Sequence, residues 1–299
     1  MSSTATPAVQ RPIRSILFVP ADSDRKLEKS ITLQADALVF DLEDSVLPAR
    51  KPVARDMLKA FLPSYNGTGQ PWIRVNDLES GELMKDLAAI VPLAPTGIVL
   101  PKIRGPEDLD LVSHWLDMAE CMAGVEVGST RIIAVATETP DAVLRMADLI
   151  KVKRPRLLGL IWGAEDLSSA MGADDPRTPT GAWRQTYEFA RTQALLAAHA
   201  LGIQAIDTVY VDFRDPEGCA ANCQNARYDG FTGKVAIHPS QVEIINTAFS
   251  PSAEQIEYAK RVVAAFELGE GAVSLDGKML DIPHLKSAQR VLSQADLTS

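Results

Sequence analysis

The chain has 299 residues, of which 46% are hydrophobic, and a formal net charge of −9 at pH 7. Its length and apolar content predict one large domain, or one domain with a small appendage. The acidic balance argues against a nucleic-acid surface, and no apolar run approaches the roughly 20 residues of a membrane helix, so we expect neither a nucleic-acid nor a membrane partner.

The N-terminus and the cysteines add little chemistry. Residues 1–12 are polar and are expected to be flexible, and they lack the apolar core of a secretory signal. The three cysteines, Cys121, Cys219 and Cys223, have neither a disulfide pattern nor the spacing of zinc ligands. We therefore expect a reducing, cytoplasmic setting.

Short apolar runs alternate with amphipathic helical patterns along most of the chain. Eight runs have the character of buried parallel strands: Ser15–Val19, Ala37–Phe40, Trp72–Val75, Gly97–Leu100, Arg131–Ala136, Leu157–Ile161, Ala205–Asp207 and Lys234–Ile237. The longest helical pattern runs from about Ala182 to Ala200. This alternation predicts a closed (β/α)8 TIM barrel over residues 13–250. A doubly wound open sheet is the alternative, but no nucleotide-binding glycine motif follows any strand.

Residues 251–299 form a C-terminal extension beyond the barrel. Ala253–Leu268 has an amphipathic helical pattern, Gly269–Asp281 has the glycines and short apolar stretches of a hairpin, and Ile282–Leu292 predicts a last helix. A hairpin added to a closed barrel either packs on its surface or covers a mouth. We expect a lid or an oligomerisation element, and the sequence does not decide which barrel it covers.

Charged and amide side chains directly follow the predicted strands. They are Asp41, Glu43, Asp44, Arg74, Asn76, Lys102, Glu138, Glu165, Asp166, Asp207 and His238. Because barrel active sites lie at the C-terminal ends of the strands, these side chains should converge at one mouth. Four or more carboxylates in one place need a cation. Oxygen ligands without clustered histidine or cysteine favour Mg²⁺, with Mn²⁺ as an alternative.

Several of these residues have competing interpretations. Arg74 lies inside an apolar strand, so it is either a structural ion pair or a fixed guanidinium aimed at a substrate oxygen. His238, before Pro239, is more typical of a hydrogen-bonded histidine at a strand end than of a catalyst. A basic cluster near the N-terminus is either a solvated helix face or the positive charge that an anionic ligand would need; it comprises Arg14, Arg25, Lys26 and Lys29.

Six blocks of the sequence resemble, in order, the citrate lyase beta-subunit-like family, which includes malyl-, citramalyl- and citryl-coenzyme A lyases. The blocks are Arg14–Ser30, Asp36–Asp56, Trp72–Asp77, Ala136–Pro140, Gly163–Ser169 and Gly230–Glu243. The C-terminal GKMLDIP is similar to the lid of the malyl- and citramalyl-CoA lyase branch. The resemblance implies a TIM barrel that acts on an acyl-CoA and a 2-oxo acid, and a homotrimer or hexamer.

The resemblance also implies roles for the residues at the strand ends. Glu138 and Asp166 match the family's Mg²⁺ ligands. Glu43 and Asp44 match acids that hold metal-bound water and border the reaction site. Arg74 matches the arginine that contacts the substrate carbonyl.

Three further residues match groups that bind or cover the substrate. Lys29 matches a basic residue facing the coenzyme A phosphates, and Arg25 is expected to share that role. Asp281 matches an acid of the lid that reaches a neighbouring subunit's site in a trimer. There it would exchange a proton at the enolate carbon.

The function implied is reversible carbon–carbon cleavage of a β-hydroxyacyl-CoA, such as malyl-, β-methylmalyl-, citramalyl- or citryl-CoA. The products would be a 2-oxo acid and an acyl-CoA. Thioester hydrolysis of malyl-CoA on the same site is one alternative. A CoA-independent 2-oxo acid aldolase and a non-catalytic binding protein are the others.

Overall fold

A computed structural model describes residues 12–267 and 272–298 of the chain. Eight parallel strands close into a barrel in sequence order, and the last pairs with the first. The strands are β1 (Ser15–Pro20), β2 (Ala37–Asp41), β3 (Gln70–Arg74), β4 (Gly97–Leu100), β5 (Arg131–Val135), β6 (Leu157–Ile161), β7 (Gln204–Asp207) and β8 (Gly233–Ala236). The predicted (β/α)8 barrel is confirmed, and the doubly wound sheet is excluded.

Helices follow the strands on the outside of the barrel. They are α1 (Asp24–Ser30), α2 (Lys51–Phe61), α3 (Leu83–Ile90), α4 (Pro106–Ala123), α5 (Pro140–Leu144), α6 (Met146–Leu149), α7 (Glu165–Met171), α8 (Gln185–Leu201), α9 (Pro216–Asp229) and α10 (Val242–Phe249). None of the helices in the described ranges combines the length and apolar character of a membrane-spanning segment.

The short helix α7 was missing from the sequence prediction, which placed a single long helix between the sixth and seventh strands. Gly172 ends α7 in the left-handed backbone region, with a φ of 63°. A loop containing Pro176, Pro179 and Gly181 follows, so α8 begins only at Gln185. Glu165 and Asp166 therefore lie in the first turn of a helix of their own.

The barrel has two apolar layers, because successive side chains of a strand point to opposite faces. Val39, Trp72 and Ile206 belong to the cluster inside the barrel. Phe40 and Ala205, their neighbours in sequence, belong to the cluster between strands and helices. The same alternation decides where the polar residues at each strand end point.

The C-terminal extension follows the barrel as predicted and is built of a helix, a hairpin and a second helix. Its elements are α11 (Ala253–Glu267), β9 (Val273–Leu275), β10 (Lys278–Leu280) and α12 (Ile282–Thr298). Asp276 and Gly277 both have positive φ, as a tight hairpin turn requires. Ala259, Val262 and Leu280 share a separate apolar cluster. The predicted start of the hairpin at residues 269–271 and the N-terminal residues 1–11 lie outside the described ranges.

Candidate active site

Arg74 is held at the barrel mouth by the acid beside it. Asp41 and Arg74 end β2 and β3 and are register partners. Asp41 accepts hydrogen bonds from Nε at 2.7 Å and from Nη2 at 2.6 Å. The guanidinium also lies 4.7 Å from the ring centroid of Phe18. Burial alone would raise the pKa of Asp41, but the contacts of Arg74, together with the hydrogen bonds from Ser45 and Glu43, lower it. The structural ion pair is therefore present, and it fixes the guanidinium.

Glu43 takes the remaining side of Arg74. The backbone N–H of Glu43 donates to Asp41 at 2.9 Å, so the ion pair also shapes the loop that carries Glu43. Nη1 of Arg74 lies 3.0 Å from Oε2 of Glu43, and this buried oxygen has no hydrogen-bond donor aligned with it. Burial raises the pKa of Glu43 to about 7, even though Arg74 and Lys102 act to lower it.

Lys102 connects the acids of the site. Its ammonium lies 2.7 Å from Glu43, 3.1 Å from Asp44 and 3.4 Å from Asp166. Its backbone N–H donates to Oε2 of Glu138 at 2.6 Å. Lys102 has a φ of 51°, in the left-handed region that most side chains avoid. The sequence placed Lys102 at the mouth but gave it no role.

Glu138 is more deeply buried than Asp166, the other expected metal ligand. It follows β5 and is only 4% exposed. Burial raises the pKa of Glu138 well above its usual range, and the carboxylates of Asp166 and Glu43 raise it further. A Cβ at Gly163 would lie 2.9 Å from Cγ of Glu138, so the glycine leaves room for this side chain.

The donor set fits Mg²⁺. Glu138 and Asp166 offer carboxylate oxygens from neighbouring strand ends, and their mutual repulsion is the kind that a cation relieves. No group of three or more histidine, cysteine or acidic side chains surrounds a metal position in the described ranges. A two-carboxylate site suits Mg²⁺, which commonly keeps several waters and takes one or two protein carboxylates. The direct ligation by these two residues stays a prediction.

A buried polar network behind the mouth was missed by the sequence analysis. Asp86 of α3 is fully buried and accepts from the backbone N–H of Asn76 at 2.8 Å, from its Nδ2 at 2.7 Å and from Arg55 at 2.9 Å. Asn76 in turn donates to the carbonyl of Leu42 at 3.0 Å. Lys51 donates to the same carbonyl at 3.2 Å and contacts the Asn76 amide oxygen. The network therefore fixes the loop that carries Glu43.

Its sequence signal was an acid on an otherwise apolar helix face. Asp86 lies beside Leu83, Leu87 and Ile90, which are all buried. A carboxylate on a buried face needs partners inside the protein.

Three residues at the strand ends do not join the site, and their expected convergence was wrong. Asp207 points into the outer layer, where Trp162 donates to it at 2.7 Å and the Lys234 ammonium lies 2.5 Å away. His238 accepts from the backbone N–H of Ser240 at 3.2 Å, so it is a hydrogen-bonded histidine at a strand end, as favoured above. Glu165 is exposed at the start of α7.

The proposed basic cluster is divided between the two ends of the barrel. Arg14 precedes β1, and its guanidinium donates two hydrogen bonds to Asp36, both at 2.8 Å, at the end opposite the mouth. Arg25, Lys26 and Lys29 lie on α1, the helix that follows the mouth end of β1, and are exposed. Within the described ranges none of these three has an ion-pair partner. Of the four residues of the cluster, these three remain available for an anionic ligand.

Asp281 is not brought to the mouth by contacts within its own chain. It lies between β10 and α12 and its side chain is 61% exposed. Its carboxylate lies 2.5 Å from Nδ1 of His284, and its carbonyl accepts from the first turn of α12. This is the helix-cap arrangement, and it leaves the predicted role in a neighbouring subunit untested.

The chain is similar along most of its length to proteins of one family. Residues 14–239 match the model of the HpcH/HpaI aldolase/citrate lyase family. The mitochondrial citramalyl-CoA lyase of Rattus norvegicus is 32% identical, with 95% of this chain and 86% of the relative aligned. A (3S)-malyl-CoA thioesterase of Cereibacter sphaeroides is 35% identical, with 95% of each chain aligned.

A solved structure is similar over the same extent. It is CitE from Mycobacterium tuberculosis in complex with magnesium, acetoacetate and coenzyme A, which superposes with a TM-score of 0.77 at 31% identity. The alignment covers 95% of this chain and 98% of that one. The likeness therefore includes the barrel and most of the C-terminal extension.

Proposed function

This chain belongs to the HpcH/HpaI aldolase/citrate lyase family, and from that premise we propose that it is a Mg²⁺-dependent, acyl-CoA-dependent carbon–carbon lyase. Its substrate would be a β-hydroxyacyl-CoA such as malyl-, β-methylmalyl-, citramalyl- or citryl-CoA, which it would cleave to a 2-oxo acid and an acyl-CoA. The reverse condensation would use the same site.

The observation that carries this proposal is a fixed guanidinium beside clustered carboxylates. Asp41 occupies two nitrogens of Arg74 and orients the third toward Glu43. Cleavage moves an electron pair from the breaking carbon–carbon bond onto the thioester carbonyl. A guanidinium held in place before the reaction stabilises that oxygen without reorganising. Arg74 is therefore proposed to bind the thioester oxygen of the substrate.

Glu138 and Asp166 would hold the metal. Mg²⁺ bound there would polarise the hydroxyl and the carboxylate of the 2-hydroxy acid portion and so lower the hydroxyl pKa. The similarity to a structure containing magnesium supports this assignment. Mn²⁺ stays an alternative with the same oxygen ligands.

Glu43 and Asp44 are proposed to handle the hydroxyl proton and the metal-bound water, and Lys102 is proposed to orient both acids. A pKa of about 7 suits Glu43 to take the hydroxyl proton near neutral pH. Its Oε2 lies 3.0 Å from Nη1 of Arg74 but accepts no hydrogen bond, and it would take that proton. Lys102 pairs with both acids and keeps their orientation.

The coenzyme and the assembly complete the proposal. Arg25 and Lys29 lie exposed on α1 after β1, where they can meet the phosphates of coenzyme A. Asp281, delivered by a neighbouring subunit, would give a proton to the enolate carbon. A homotrimer or hexamer and a cytoplasmic location are part of this proposal.

Thioester hydrolysis is the second candidate function, because the chain is as similar to a malyl-CoA thioesterase as to a lyase. Hydrolysis would need a water placed for attack on the carbonyl that Arg74 polarises. The two reactions release different products from malyl-CoA. A lyase gives glyoxylate and acetyl-CoA, whereas a thioesterase gives malate and free coenzyme A.

The deciding experiment is a mass-spectrometric screen of malyl-, β-methylmalyl-, citramalyl- and citryl-CoA with Mg²⁺. We expect a shorter acyl-CoA together with the matching 2-oxo acid from at least one substrate. Free coenzyme A with an intact hydroxy acid would identify the thioesterase instead. Unchanged substrates throughout would overturn both functions.

A further inference from the structure

The cavity at the barrel mouth extends beyond the proposed metal ligands. It has a volume of about 470 Å³. Its wall includes Lys102, Glu138 and Asp166 together with Glu79 and Arg104. A molecule held at Glu138 and Asp166 therefore shares one space with Arg104.

Among the described residues of this wall, Arg104 is the cation that forms no ion pair with the catalytic acids. The ammonium of Lys102 contacts Glu43, Asp44 and Asp166. Arg104 instead pairs with Glu79, at 2.7 Å from Nη1 and 2.8 Å from Nη2. No other lysine or arginine is among the described residues that line the cavity.

The backbone of Arg104 is fixed in the loop before α4, but the Arg104 side chain can exchange Glu79 for another carboxylate. The backbone N–H of Arg104 donates to Asp108 at 2.6 Å, which anchors the residue at the start of α4. The side chains of Arg104 and Glu79 are 55% and 67% exposed. Such an exposed pair contributes little to stability, so another carboxylate can replace Glu79 at little cost. A guanidinium binds any carboxylate through the same two parallel hydrogen bonds.

We propose that Arg104 binds a second carboxylate on the 2-oxo acid half of the substrate. The chain then favours a hydroxyacyl-CoA that releases a dicarboxylic 2-oxo acid, as citryl-CoA releases oxaloacetate. Substrates that release a monocarboxylic acid, such as citramalyl-CoA with pyruvate, leave Arg104 paired with Glu79. This inference rests on the lyase function proposed above and adds a substrate class to it.

The test compares citryl-CoA with citramalyl-CoA cleavage in the wild type, Arg104→Gln and Glu79→Gln. We expect the wild type to have the higher kcat/KM for citryl-CoA. Arg104→Gln should lower the citryl-to-citramalyl ratio about tenfold or more, mainly through KM. Glu79→Gln breaks the same ion pair but leaves the guanidinium, so the ratio should hold or rise. Equal ratios in the two variants, or a wild-type preference for citramalyl-CoA, overturn the inference.

A binding measurement separates this inference from the lyase function. Isothermal titration of fresh oxaloacetate and of pyruvate, with Mg²⁺ present, needs no turnover. Oxaloacetate should bind the wild type more tightly than pyruvate, and Arg104→Gln should remove most of that difference. If no thioester is cleaved but this pattern is found, the lyase proposal fails and the role of Arg104 stands. Equal affinities for both acids in the wild type refute the role of Arg104.

Discussion

At the scale of single residues, the nitrogens of Arg74 have different tasks. Asp41 binds Nε and Nη2, and Nη1 faces Glu43 at the mouth. Lysine keeps the charge but cannot make the paired contact and reach the mouth together. We expect Arg74→Lys to lower kcat by roughly 10²-fold, about 2.7 kcal/mol at the transition state. Steady-state kinetics checks this, and a rise in KM with unchanged kcat would show that Arg74 binds only the ground state.

The metal assignment makes a second prediction about residues. Glu138→Ala or Asp166→Ala should abolish Mg²⁺-dependent turnover, because each removes one of few protein ligands. Glu165→Ala is the matched control, since Glu165 is the adjacent acid and is exposed. It should retain most of the activity. The assignment fails if EDTA-treated wild type keeps full activity, or if the Glu165 variant loses as much as the Asp166 variant.

The sequence predicted which polar residues end the strands, but not which face of the strand each side chain occupies. Asp41 and Arg74 end their strands in the register of Val39 and Trp72, which point into the barrel. Asp207 also ends a strand, but one position out of that register, so it pairs with Lys234 in the outer layer. A shift of one residue reverses the face of a strand residue. Spacing in the sequence does not locate a strand end to one residue, so these two outcomes could not be told apart.

At the scale of elements, α3 supports the loop of Glu43 through a buried charge. We expect Asp86→Asn to lower the free energy of unfolding by about 3–5 kcal/mol, because it leaves Arg55 without its buried partner. Glu82→Gln is the control, since Glu82 pairs with the same guanidinium at 2.8 Å but is 24% exposed. It should cost less than about 1 kcal/mol. Urea unfolding of both variants measures the difference. Equal losses of unfolding free energy would show that the buried partner of Arg55 contributes no more than the exposed one.

A second buried network ties α4 to the end of the barrel opposite the mouth. Glu120 accepts from Arg156 at 2.6 Å, and from the backbone N–H groups of Gly128 and Thr130, both at 2.7 Å. Burial alone would raise the pKa of Glu120, but these donors lower it to about 2, from an ordinary value of 4.5. A depressed pKa stabilises the fold above the ordinary value, and this contribution is lost as the pH falls toward the folded value.

The expected result is a loss of at most about 3 kcal/mol of unfolding free energy from this residue as the pH falls from about 4.5 to about 2. Glu120→Gln should start less stable at neutral pH and show a correspondingly smaller loss on acidification. Asp117→Asn, which removes a half-exposed partner of the same Arg156, should keep the wild-type pH dependence. Urea unfolding at several pH values measures this, and parallel wild-type and Glu120→Gln curves would contradict it.

At the scale of the whole molecule, the alternation of short apolar runs and helical patterns was enough to predict the closed barrel. Each strand is buried between the barrel interior and the surrounding helices, and eight such strand–helix units close into a barrel. The C-terminal hairpin was predicted from its turn glycines, and it is present. Its task could not be predicted in the same way. A lid's place depends on the surface that it covers, and that surface need not belong to the same chain.

The last prediction therefore concerns the assembly. The Asp281 carboxylate is exposed and contacts only His284 of α12 through its side chain within the described ranges. If it serves a neighbour's mouth, each site combines a barrel from one subunit with an acid from another. Asp281→Ala and Glu138→Ala should each be nearly inactive alone. Mixed and allowed to exchange subunits, they should regain part of the activity, because some sites then pair an intact barrel with an intact lid.

Light scattering should show an oligomer, with a trimer expected, and labelled subunits should confirm that exchange has occurred. Two Glu138→Ala preparations mixed under the same conditions are the control, since no combination of them contains an intact metal site. A monomer that turns over at the full rate would contradict the shared site. So would an inactive mixture of the two variants after proven exchange. Either result would exclude a site shared between subunits and leave Asp281 with its contacts to His284 and the first turn of α12.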